Sequence, residues 1–167
     1  MALLQDFAAV IENIGIAESI RESEVLFPFI ESLHVIAICL VVGSILTLDL
    51  RLLGFASLQR PVSRLTAAIL PVTWGAFTVA VMTGLLLFIS NASKYLANGY
   101  FDAKLCLIAA AGLNMMVFHG LSARDMSQWE QRKSSPVSAR VAGALSILIW
   151  IAVVACGRMI GFTMEAL

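Results

Sequence analysis

The stretch Glu31–Gly54, "ESLHVIAICLVVGSILTLDLRLLG", decides the fold. Between His34 and Asp49 it carries no charged residue, and a helix needs roughly 20 largely apolar residues, at about 1.5 Å each, to cross a bilayer. It nevertheless opens on Glu31 and His34, which three-residue spacing puts on one helix face, and closes on Asp49 and Arg51. Lipid penalises all four groups. The stretch is therefore either an anchor with charged ends or a span that carries a site.

The rest of the chain repeats the pattern. Its 167 residues are 60% hydrophobic and 13% charged, and the mean hydropathy of +0.91 lies well above that of a soluble domain. Spans are expected near Leu26–Leu50, Leu65–Ile89, Lys104–Leu121 and Val141–Phe162, the third being the shortest. This predicts an all-α integral membrane protein, a four-transmembrane-helix bundle over residues 25–167. Residues 1–24 form an amphipathic N-terminal segment: Leu3, Leu4, Phe7, Val10, Ile11 and Ile14 recur at helical spacing, and Gly15 is expected to end the stripe. Asp6, Glu12, Glu18, Glu22 and Glu24 make it acidic, and it lacks the basic start of a secretory signal. It is expected on the outer face, packed on the bundle or docking a partner.

Charge placement orients the chain. The first and third connections hold Arg51, Arg60, Arg64, Arg124, Arg132, Lys133 and Arg140, against Arg21, Lys94 and Lys104 on the other side. Both termini are expected in the periplasm, with the chain in a bacterial inner membrane and its basic loops in the cytoplasm. The formal net charge is zero, so no basic field points to nucleic acid. Phosphate-binding and dinucleotide-binding glycine patterns are missing, and Ser32, Ser44 and Ser146 lack a nucleophile-elbow context. An independent enzyme is not expected.

Polar residues inside the spans carry the remaining information. Glu31, His34, Lys104 and Arg158 fall in the outer half, and Asp49, Arg51, Asn114 and His119 at midplane or in the inner half. Each has a plain structural reading: Arg158 can snorkel to headgroups, Lys104 can anchor at the interface, and Asn114 can fasten two helices. Asp49 and Arg51 read as the point where the first helix leaves the membrane. Glu31 and His34 need a polar partner or water. His34 suits an axial haem ligand or a metal ligand, with Arg158 and Lys104 balancing propionates and Glu31 orienting the imidazole. His119 lies roughly 16 Å deeper by helical rise, so a shared bis-histidine haem does not fit, and Met82 or Met159 are the other axial candidates. Copper is the soft-ligand alternative, from Cys39, Cys106, Cys156, Met82 and Met159, without a CxxC or paired-histidine spacing.

The set "ESLH", "DLRLLG", "TGLLLF", "LNMMVFH" and "GRMIGF" resembles an uncharacterised family of small bacterial inner-membrane proteins, a domain of unknown function, from about Ser19 onward. The resemblance implies a four-span bacterial protein and singles out His34, Arg51, His119 and Arg158. The four-helix plan is similar to small b-type cytochromes, which carry more helix-borne histidines than the two here. The leading expectation is a membrane redox module that binds one haem b in the outer half and passes electrons between quinone and a periplasmic partner. A copper- or small-ligand-handling protein, or a cofactor-free accessory subunit of a larger membrane complex, are the alternatives.

Overall fold

A computed structural model of the chain describes residues 2–56, 61–121 and 135–164. Four of its helices follow from apolar content alone: α3 (Leu26–Leu53), α4 (Val62–Ser90), α6 (Gly99–Leu121) and α7 (Val137–Met164). Each is long and apolar enough to cross a membrane, with mean hydropathies of 2.3, 2.0, 1.5 and 2.1 in that order. This is a multi-pass membrane protein of all-α architecture. The expected spans are present but extend further. The α3 helix continues to Leu53, α4 starts at Val62, and α7 starts at Val137, so Arg51, Arg64 and Arg140 lie within helices rather than in connections. Arg60, Arg124, Arg132 and Lys133, which carry much of the orientation argument, are outside the described residues, as are the side chains of Leu3 and Leu4.

Local chemistry sets the helix ends. Gly54 terminates α3 at φ 86°, a left-handed conformation that costs glycine no Cβ clash, with Phe55 N–H donating to the Leu50 carbonyl at 2.9 Å. Pro61 precedes α4 with φ −57°, already helical in that angle. Asn98 is buried and works in two directions: its Oδ1 accepts the Tyr100 N–H at 3.0 Å, capping α6, and its Nδ2 donates to Thr163 Oγ1 at 2.7 Å, tying α6 to the end of α7.

The spans pack as a row, α4 on α3, α3 on α7 and α7 on α6; among the described residues no α6 Cα comes within 8 Å of an α4 Cα. The gap between α4 and α6 is bridged at one end by rings: Phe88 stacks on Phe101 with centroids 5.5 Å apart, and Tyr95 lies 5.3 Å from Phe101. Small residues allow the closest backbone approach, as membrane bundles require. A Cβ on Gly143 of α7 would sit 3.2 Å from the Asp49 carbonyl oxygen and 3.3 Å from Leu52 Cβ of α3. Asn114 does fasten two helices, its Nδ2 donating to the Ala142 carbonyl at 3.0 Å. Ser44 and Thr73 join α3 to α4 at 2.8 Å.

The N-terminal segment differs from the single helix expected. It forms α1 (Ala2–Glu12) and α2 (Gly15–Glu22), which with the short α5 (Ala92–Leu96) build a cap over one end of the bundle. Gly15 begins the second helix rather than ending the first stripe. The break falls at Asn13 and Ile14, where the Asn13 side chain donates back to the Ala9 carbonyl at 2.8 Å. Glu12 Oε1 accepts the Ser93 N–H at 2.7 Å, and Arg21 Nη1 donates to the Ser90 carbonyl at 3.3 Å. Ala8, Ala17 and Ile20 are buried against the bundle, whereas Phe7, Val10 and Ile14 of the expected stripe are exposed.

Candidate functional site

Two polar clusters interrupt the apolar interior, one near each end. The first is built on His34, in the third turn of α3, half-buried against α4. Its Nδ1 is 2.9 Å from Thr83 Oγ1. The Thr83 hydroxyl donates its own hydrogen to the Val79 carbonyl at 2.7 Å, so Thr83 can only accept from His34. This favours the hydrogen on Nδ1 and puts the lone pair of the neutral ring on Nε2. A second group holding one ring nitrogen so that the other can ligate is the usual arrangement of a metal-binding histidine. Gly84 makes room for the ring: a Cβ there would meet His34 Cε1 at 2.9 Å.

Lys104 shares this layer. It reaches from α6 towards α7, where a Cβ on Gly157 would lie 3.7 Å from Nζ, and it is close enough to His34 and Cys156 to interact with both electrostatically. The layer thus combines an imidazole nitrogen and a cation, beside the gap between α4 and α6 and below the Phe88, Tyr95 and Phe101 rings.

The other sequence candidates lie elsewhere. Glu31 is exposed and acts electrostatically on Tyr95, so the group that orients His34 is Thr83, not Glu31. Arg158 is exposed, with its guanidinium carbon 4.4 Å from the Phe162 ring centroid, the geometry of a surface cation–π pair. Met82 and Met159 are exposed on their helices. His119, near the end of α6, is exposed and its Nδ1 bonds the Met115 carbonyl of its own helix at 3.0 Å. Counted along the helices it lies roughly 20 Å from the level of His34. No described group of three or more His, Cys, Asp and Glu side chains is placed to hold a metal ion. Cys39 and Cys106 are exposed and Cys156 is half-buried.

The second cluster surrounds Asp49. Near the end of α3, Asp49 and Arg51 are each only 5% exposed, enclosed by the bundle. Ser146 of α7 faces Asp49 across the α3–α7 seam, and Asp49 Oδ2 is buried with no hydrogen-bond partner. Arg51 has interactions of its own.

Residues 18–163 match the model of a family of unknown function, DUF6644. The chain belongs to this family. No curated protein and no solved structure matches it. The DUF6644 match spans both clusters and begins within α2, so α1 lies outside it.

Sequence reasoning on this DUF6644 member found His34 but missed its neighbours. Thr83 and Gly84 are ordinary residues in a span, and only the pairing of α3 with α4 shows what they do. The burial of Asp49 likewise comes from α7 packing on this turn through Gly143.

Proposed function

We propose that this DUF6644 chain is a membrane-embedded redox module that holds one b-type haem against His34 and passes electrons between quinone and a periplasmic partner. The observation that carries the reading is the His34–Thr83 contact, Nδ1 to Oγ1 at 2.9 Å, which supports Nε2 as the nitrogen that would ligate iron. Lys104 would supply a positive charge in the same layer for a propionate. His119, Met82 and Met159 are exposed on their helices, so His34 is the residue that would hold the haem, and the haem would supply the one-electron chemistry. The inner-membrane location with both termini periplasmic is part of the same proposal; it is supported by Arg51, Arg64 and Arg140 gathering at the end opposite the cap.

The test is the absorption spectrum of detergent-purified protein made in haem-replete cells, with a pyridine haemochrome assay and carbon monoxide addition. A Soret band that shifts with carbon monoxide and is lost in His34→Ala is expected. A colourless wild-type protein refutes the reading.

A second reading has its own observation. Phe7, Val10, Ile14 and Ile16 are exposed on the cap, an arrangement that supports an accessory subunit docking a larger membrane complex. A fixed stoichiometric partner retained by the wild type and lost on Phe7→Glu/Val10→Glu would favour it.

A further inference from the structure

The His34 layer leaves the Asp49 cluster unexplained. A carboxylate enclosed by a membrane bundle is costly unless a cation or several donors meet it. Asp49 meets Ser146 on one side, and Oδ2 has no partner. Its turn of α3 packs on Gly143 of α7, where a Cβ would sit 3.2 Å from the Asp49 carbonyl oxygen. Among the described cations and histidines of the helices at this end, Arg64 on α4, Arg140 on α7 and His119 on α6 are exposed, and Arg51 on α3 is buried with an interaction of its own. Depth matters too. Asp49 lies about 14 Å from the midpoint of α3 by helical rise, at the edge of a hydrocarbon core about 30 Å thick. It is enclosed by protein, yet close to water at the basic end.

We propose that Asp49 is a reversible proton site of the membrane domain, carrying a proton in the packed bundle and exchanging it with water at the basic end. A protonated carboxyl turns the orphaned oxygen from an uncompensated charge into a neutral group beside Ser146. No haem is needed for this, so the inference stands apart from the redox reading. Its ligand class is the proton rather than a metal cation, because one carboxyl and one hydroxyl are too few oxygens to strip the water from an alkali ion.

Infrared spectroscopy of the protein in lipid, titrated across neutrality, tests the assignment directly. A protonated-carboxyl band is expected that disappears in Asp49→Asn, and whose intensity falls about tenfold per pH unit once its midpoint is passed. Dicyclohexylcarbodiimide provides site identity in the wild type, whether or not the variant folds: the carboxyl proton moves to a carbodiimide nitrogen, its oxygen adds to the central carbon, and rearrangement leaves an N-acylurea on the peptide containing Asp49. Either a band assigned to Asp49 or an adduct mapped to it, titrating with pH, supports the proposal. The absence of both in folded protein overturns it. So does suppression of band and adduct by sodium or potassium at fixed pH, which would make Asp49 a cation site.

Discussion

Replacing Gly84 by alanine probes the best-defined contact in the candidate site. The added Cβ would stand 2.9 Å from His34 Cε1, well inside carbon–carbon contact distance, so the imidazole must retreat by about half an ångström to reach ordinary packing. That movement stretches the 2.9 Å bond from Nδ1 to Thr83 towards the limit of a useful hydrogen bond, a loss of about 1 kcal/mol. Overpacking adds about 1–3 kcal/mol, and the better helix propensity of alanine returns roughly 0.5–1 kcal/mol. A net destabilisation on the order of 1–3 kcal/mol follows. Gly75→Ala and Gly112→Ala are the controls, because a Cβ at either position meets nothing within 4 Å; they should be neutral or slightly stabilising. Reversible denaturation in mixed detergent micelles, followed by circular dichroism, measures all three. Equal midpoints for Gly84→Ala and Gly112→Ala would show that His34 does not occupy the Gly84 notch, and the tautomer argument would fall with it.

Other consequences are as open to measurement. Gly143→Ala should cost more than Gly84→Ala, because its Cβ meets the Asp49 backbone oxygen at 3.2 Å and backbone cannot swing aside; the same denaturation series ranks them. Asn98→Ala removes both the cap on Tyr100 N–H and the bond to Thr163, a loss of about 1–2 kcal/mol that Thr163→Val should reproduce only in part. Burial, and then the negative charge of Glu31, push the Tyr95 phenol above the ordinary tyrosine range. The folded protein therefore binds that proton more tightly than the unfolded chain, and stability is lost as pH rises from the ordinary value through the raised one. Ultraviolet titration in a Tyr100→Phe background should show Glu31→Gln moving the Tyr95 midpoint downward; an unchanged midpoint would remove Glu31 from its surroundings.

The four spans were legible because lipid leaves a chain few choices: long apolar runs such as Val35–Leu48 have only the helix open to them. His34 was legible for the related reason that an imidazole there is expensive. What surrounds it was not, since Thr83 and Gly84 acquire their roles from the face of α4 that happens to meet α3. The burial of Asp49 and Arg51 was not legible either: a charge near the end of an apolar run reads as an exit from the membrane, and the run alone does not show that α7 covers this turn through Gly143. Lys104 is alike, since the sequence could not place Gly157 of a neighbouring helix beside it.

The polar links between spans have a bearing on how the molecule is assembled. Apolar side chains gain little by leaving lipid for each other, so helix association in a bilayer depends on close packing and on hydrogen bonds between helices. Here those bonds are unevenly shared. Ser44–Thr73 and His34–Thr83 join α3 to α4, and Asn114–Ala142 and Asn98–Thr163 join α6 to α7. Between the two pairs lies the Gly143 crossing, where a missing side chain lets α7 approach the Asp49 carbonyl and Leu52 of α3. The chain is thus built as two hairpins, each tied by polar links of its own, and the small residue at 143 is what lets them close on each other.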